Sequence, residues 1–206
     1  MKNARYLLNN QKSRTLLLTG CGFIINIIYG IGNGCLGILT KSWWLITLAA
    51  YYIIVSIMKF SVVFYQYKNT ADNKRTDVFI KHFVGYMFLV LDIVLIGTTV
   101  LSAKENMGAY HHEIIMITIA TYSFGKISTA LINLCKNKKY DSPVIATIRN
   151  ISFADAAVSI FSLQRSMLVS FGNKSYFEVQ IFNILTGIGV CLIVMILGIN
   201  LIRKDR

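Results

Sequence analysis

Proline is almost missing from this chain, occurring once at Pro143, and acidic side chains are scarce, nine against twenty-one Lys and Arg in 206 residues. With one proline, long helices run uninterrupted over most of the length. Cysteine is no more plentiful: Cys21, Cys35, Cys135 and Cys191 are the four. All lie within or at the end of apolar runs, whereas a secreted disulfide framework places cysteines in polar loops. Four buried thiols are the expectation.

Enzymatic signatures are absent as well. There is no zinc-protease HExxH, no Gly-rich phosphate loop, no GxSxG elbow and no rhomboid-like serine and histidine pair. Ser-x-x-Lys occurs at Ser56 and Ser123, but inside apolar helices and without the remaining elements of a serine acyl enzyme. His111-His112-Glu113 invites a metal reading, yet adjacent histidines cannot share a helix face and no second ligand cluster accompanies them. The sequence therefore implies no enzyme, no cofactor and no metal.

Hydrophobic residues make up 55% of the chain and the mean hydropathy is +0.57, more than ordinary soluble domains carry. The net charge of +12 does not form the single patch that nucleic acid needs; it is divided into short clusters between long apolar runs. Six runs reach the ~20 residues required to cross a bilayer as helix. They lie near Thr15–Thr40, Trp43–Tyr67, Phe83–Ala103, Glu113–Cys135, Ile151–Phe171 and Phe177–Ile202. Barrel alternation is absent, so the predicted fold is an all-α transmembrane bundle, one six-span domain over 1–206. Leu18-Thr19-Gly20-Cys21 mimics a lipoprotein cleavage box, but the apolar stretch after Arg14 is too short for a signal peptide, and an uncleaved first helix is expected.

Orientation follows from the basic clusters. Lys2, Arg5, Lys12 and Arg14 precede the first span; Lys68, Lys74, Arg75 and Lys81 join the second to the third; Lys136, Lys138, Lys139 and Arg149 join the fourth to the fifth; Arg203, Lys204 and Arg206 follow the sixth. The opposite connections carry only Lys41, Lys104 and Lys174. Both termini are thus predicted to be cytoplasmic, in the cell membrane. Trp43, Trp44, Tyr110 and Tyr176 at the outer boundary and Tyr65, Tyr67 and Tyr140 at the inner one fit interfacial belts. Pro143 is expected in a loop.

Two internal echoes stand out. Ile46-Thr47-Leu48-Ala49-Ala50-Tyr51 and Ser56-Ile57-Met58-Lys59-Phe60-Ser61 in the second span resemble Ile117-Thr118-Ile119-Ala120-Thr121-Tyr122 and Ser123-Phe124-Gly125-Lys126-Ile127-Ser128 in the fourth. This is either a hairpin repeat covering 43–103 and 113–171 or the chance similarity of apolar helices. Asn26 with Gly30 and Gly32 in the first span is matched by Asn183 with Gly187 and Gly189 in the sixth, a spacing that lets a neighbouring helix approach closely.

Charged groups inside spans carry the most information, because each costs roughly 2.5–3.5 kcal/mol or more at the bilayer centre. Lys59, Asp92, Lys126 and Asp155 qualify, and all fall in the cytoplasmic half by residue count. Two readings fit them. Either each aspartate pairs with one lysine and ties helices together, or the four surround a polar cavity between the third, fourth and fifth spans. Ser152, Asp155, Ser159, Ser162, Ser166 and Ser170 recur every three or four residues and share one arc of the fifth span. Thr118, Thr121, Tyr122, Gly125, Thr129 and Asn133 form a companion face on the fourth. These faces line a water-filled path or meet as a small-residue interface. Arg165 lies off the serine arc and is expected to snorkel to the outer headgroups.

The stretch from Tyr122 to Gly172, with Ile132-Asn133-Leu134, Ser142-Pro143, Arg149-Asn150-Ile151-Ser152, Ala154-Asp155-Ala156 and Ser162-Leu163-Gln164, resembles a group of small bacterial multi-span proteins without an assigned activity. That resemblance implies a six-helix membrane unit and transfers no catalytic residue. Ser152-Phe153-Ala154-Asp155 is also faintly similar to the Asp-bearing helix of cation diffusion facilitators. That family places a second ligand four residues on, where this chain has Ser159, so the likeness implies no metal site here. The functions left open are a small ion or solute transporter or channel, or a non-catalytic subunit or sensor docking a protein or anionic lipid. The partners implied are the lipid bilayer, a protein or a second copy, and not nucleic acid.

Overall fold

The computed structural model describes residues 11–68, 74–104, 120–121, 123–128, 130, 143–171 and 176–203. Five long helices dominate: α1 (Gln11–Thr40), α2 (Trp43–Lys68), α3 (Lys74–Lys104), α4 (Pro143–Phe171) and α5 (Tyr176–Arg203). The described residues of the fourth predicted span, among 120–130, are helical too, and no strand occurs among the described residues. Each of the five helices contains 25 to 27 residues long and apolar enough to cross a membrane. This is the architecture of a multi-pass membrane protein.

The lipid-solvent reading has a direct counterpart in what is buried. Ile28, Ile31, Ile38 and Leu39 on α1 and Leu185, Leu192 and Ile196 on α5 are exposed. In water such surfaces would be costly; against acyl chains they are not. Only 22% and 28% of the spanning stretches of α1 and α5 are buried, against 67% of α4, so α4 is the central helix and α1 and α5 form the periphery. Tyr51, Val55, Met58 and Val62 of α2, Phe88 and Leu91 of α3 and Ile151, Ala154 and Val158 of α4 make the core.

The α1–α2 connection is two residues long. Lys41 takes a positive φ of 53°. Its N–H donates to the Ile38 carbonyl at 3.4 Å and that of Ser42 to Gly37 at 3.0 Å, the bonding of a Schellman termination. Such a tight link forces α1 and α2 to run antiparallel as neighbours. Farther along, the Tyr65 hydroxyl donates to Asp77 at 3.0 Å, tying the end of α2 to the first turn of the spanning part of α3.

Several expectations are corrected. Pro143 does not sit in a loop but opens α4, where its missing N–H removes no helical bond. That helix begins eight residues before the predicted Ile151 and takes in Arg149. Lys81, assigned to a basic loop, lies within α3 and is buried. Cys21 and Cys35 are exposed and Cys191 half-buried, so these thiols are not core residues; Cys135 lies outside the described residues. Trp43 is exposed as a belt residue should be, yet Trp44 is buried at 2%. Arg165 does not snorkel: it is 1% exposed, with its guanidinium 4.5 Å from the Trp44 ring centroid. A cation on an indole face inside the bundle replaces the headgroup contact.

The glycine echo is a packing device at one glycine of each pair. A Cβ at Gly187 would stand 2.4 Å from the Thr99 methyl, and one at Gly198 3.0 Å from Phe88, so α5 lies directly on α3. Gly30 meets Ala49, Tyr52 and Ile53 of α2, whereas Gly32 and Gly189 face open space.

Candidate functional site

Three helices deliver polar groups to one depth. Asn26 lies eleven residues from the Thr15 end of the first span, Lys59 nine from the Lys68 end of the second and Asp155 eleven from the Val144 end of α4. At ~1.5 Å per residue these are about 14–16 Å from one end of spans of 25 or 26 residues, nearer that end than the other.

Asp155 is 3% exposed. Lys59 Nζ donates to its Oδ2 at 2.6 Å and Lys126 Nζ to its Oδ1 at 2.8 Å. Asn26 closes the arrangement, its Nδ2 donating to Asp155 Oδ2 at 3.0 Å while its Oδ1 accepts from Lys126 at 3.1 Å. Only this orientation of the amide suits both neighbours, since the reverse would oppose oxygen to carboxylate and N–H to ammonium. Lys126 Nζ also lies 5.0 Å from the Tyr52 ring centroid. Tyr51 donates to the Ala154 carbonyl at 3.3 Å and Ser159 to the Asp155 carbonyl at 2.8 Å, which holds the backbone that carries the carboxylate. Two ammonium groups thus share one carboxylate.

A cavity of about 320 Å³ reaches Asp155, lined also by Thr19, Gly22, Lys59, Lys126, Ala130 and Ser152. On the far side of Ser159 a void of about 30 Å³ is bounded by Tyr29, Asn33, Trp44, Tyr52, Ser123, Ser159, Ser162 and Ser166. That is room for about one water, with enough polar partners to hold it. The serine arc of α4 thus runs from the larger cavity, past the charged centre, to the smaller void.

Of the residues singled out in the sequence, Lys59, Lys126, Ser152 and Asp155 line the larger cavity, and Ser159 and Ser162 line the smaller void. Sequence and structure part over Asp92. It lies on α3 where that helix packs along α5, is 7% exposed, and its Oδ1 has no hydrogen-bond partner among the described residues. The expected one-to-one pairing of aspartates with lysines is not formed, because both lysines converge on Asp155. The site accordingly lies between α1, α2, α4 and the fourth span rather than among the third, fourth and fifth. Tyr122 and Asn133 fall outside the described residues. Asn26 was missed as a site residue: beside Gly30 and Gly32 it reads as part of a packing motif, although an amide eleven residues into an apolar span is itself a sign of an interhelical partner.

No family model matches the chain and no curated protein matches it, so the site rests on its own geometry.

Proposed function

We propose that this is a six-span protein of the cell membrane, with both termini in the cytoplasm, that moves a small ion or solute through the centre made by Asn26, Lys59, Lys126 and Asp155. The observation that carries this reading is a cavity ending on a buried cluster in which Lys59 and Lys126 share one carboxylate, Asp155, well inside the apolar spans. A purely structural ion pair needs one lysine. The second raises the cost of burial, and a polar void continues beyond it. The basic loops support the orientation, and the resemblance of the Tyr122–Gly172 stretch supports membership in the group of small bacterial six-span proteins. The protein acts without a catalytic step.

The test is reconstitution into liposomes, with a potential-sensitive dye and an entrapped pH dye reporting on gradients of potassium chloride, sodium acetate and ammonium chloride. At least one gradient should dissipate faster than in protein-free vesicles, and Lys126→Gln should slow it at least tenfold. A folded protein that leaves all three gradients untouched would end the proposal. The weakly buried α1 favours a second reading, a subunit or sensor whose lipid-facing helix docks a partner; a stoichiometric companion purified from native membranes would support it.

A further inference from the structure

Asp92 is a buried carboxyl that the Asp155 centre leaves unused. We infer that it is a proton-binding site at the contact of α3 with α5, keeping its carboxyl as the neutral acid at neutral pH for as long as the two helices stay packed. This holds whatever the Asp155 centre does.

Position comes first. Asp92 lies fifteen residues from the Asp77 end of its span and nine from the Leu101 end, about 14 Å from the nearer one at ~1.5 Å per residue. From there an aspartate is too short to reach either surface as a snorkelling lysine does. The residue is 7% exposed, and its Oδ1 is enclosed without a hydrogen-bond partner among the described residues. As a carboxylate it would be an unpaired anion within lipid; a single proton removes that charge.

The packing decides against anything larger. Asp92 stands four residues after Phe88 and seven before Thr99, on the face of α3 that all three share. Phe88 and Thr99 mark close approaches of α5, since a Cβ at Gly198 would come 3.0 Å from Phe88 and one at Gly187 would clash with Thr99. The carboxyl is held between these two contacts. A bound metal cation takes about six oxygens. The neighbouring hydroxyls of Thr98 and Thr99 are turned to their own helix, donating to the carbonyls of Val94 and Leu95. No group of three or more His, Cys, Asp or Glu is assembled among the described residues.

Nor do the helices around α3 pair a cation with Asp92. α5 has no charged residue between Glu178 and Arg203, and Cys191 is its titratable group close enough to sense the Asp92 charge. On α2, Tyr51 and Lys59 are bonded to α4, and Tyr52 lies under Lys126. On α4, Asp155 is held by the two lysines and Arg165 lies on Trp44. Along α3 itself Tyr86 is exposed, and Lys81, His82 and Lys104 are ten or more residues away. Ionisation of Asp92 therefore requires α3 and α5 to part and admit water, which couples proton release to the packing of these two helices.

The experiment is infrared spectroscopy of the intact protein in nanodiscs of a diether phosphatidylcholine, a lipid without carbonyl groups. The carbonyl stretch of a protonated carboxylic acid is expected at pH 7, about three units above the ordinary aspartate value. Asp92→Asn, the neutral isostere of the acid, should abolish it. Wild-type protein grown with carboxyl-labelled ¹³C-aspartate should show the same band shifted, which keeps the test open if Asp92→Asn does not fold. A second readout is unfolding in SDS. The folded chain keeps the proton and the unfolded chain gives it up, so stability falls as pH rises: between about pH 5 and pH 7 the unfolding equilibrium of the wild type should rise up to tenfold more per pH unit than that of Asp92→Asn. A spectrum without the acid band at pH 7, a band that Asp92→Asn or the aspartate label leaves unchanged, or equal pH slopes in the two proteins overturns the inference. Neither dissipation of gradients in liposomes nor its absence bears on it, so transport and proton binding stand or fall separately.

Discussion

Lys59 and Lys126 reach the opposite oxygens of one carboxylate, at 2.6 and 2.8 Å on Asp155, although they come from helices that the sequence pairs with different aspartates. The consequence is an asymmetry of tolerance. Losing either lysine leaves one lysine on the carboxylate; losing the aspartate strips two buried cations of the carboxylate they share.

That asymmetry is measurable. Asp155→Asn should destabilise the protein by about 3–5 kcal/mol, the cost of stranding buried charge. Lys59→Met or Lys126→Met should cost about 1 kcal/mol or less beyond the lost hydrogen bonds, because desolvation of the removed ammonium is recovered. Unfolding titrations with SDS in mixed micelles report the difference. Combining Asp155→Asn with Lys59→Met should cost less than Asp155→Asn alone. Equal losses for all three single variants would show that the cluster is not an electrostatic unit.

The fold was legible because lipid imposes it. Runs of apolar residues longer than ~20 leave helix as the main way to satisfy the backbone, and five of the six predicted spans coincide with long helices to within a few residues, apart from the earlier starts of α3 and α4. The same rule fixed the candidates for chemistry, since Lys59, Lys126 and Asp155 stand out against apolar neighbours. It could not say which charges meet. Asp92 and Asp155 look alike in sequence, and only the way α3 packs along α5 while α4 takes the centre separates them. Asn26 was hidden by its glycines, and Arg165 by the habit of reading an arginine near a span end as headgroup-bound. Its partner Trp44 sits beside Trp43 in sequence, where one exposed and one buried indole cannot be told apart without the turn that sets the face of α2.

The two tryptophans give a spectroscopic prediction. In Trp43→Phe the remaining Trp44, buried at 2% under Arg165, should be quenched several-fold less by brominated acyl chains than Trp43 is in Trp44→Phe. Arg165→Lys should lose the stacked guanidinium and about 1–2 kcal/mol with it, since an ammonium cannot lie flat on the ring. Equal quenching of the two indoles would mean that Trp44 faces lipid.

At the α1–α2 turn, Lys41 holds a left-handed conformation at φ 53°. For a residue with a Cβ this costs roughly 1–2 kcal/mol, which glycine avoids while adding unfolded-state entropy. Lys41→Gly should therefore raise stability by about 0.5–1 kcal/mol, read as a higher midpoint in the same SDS titration. A lower midpoint would indicate that the Lys41 side chain contributes more than its backbone strain costs.

The two glycines of α5 separate packing from propensity. A Cβ at Gly187 would lie 2.4 Å from one Thr99 atom and 2.6 Å from another, and Thr99 is itself fixed by donating to the Leu95 carbonyl at 2.9 Å. The threonine has no free rotation to yield, so α5 must move off α3, and Gly187→Ala should cost about 1–3 kcal/mol as an overpacked contact. Gly189 is two residues away on the face that meets nothing within 4 Å. Alanine there adds no clash and improves helix propensity, so Gly189→Ala should be neutral or stabilising by up to about 1 kcal/mol. Because both substitutions add the same methyl to the same helix, the difference between them isolates the α3–α5 contact. Identical midpoints would mean that the two helices do not touch at Thr99.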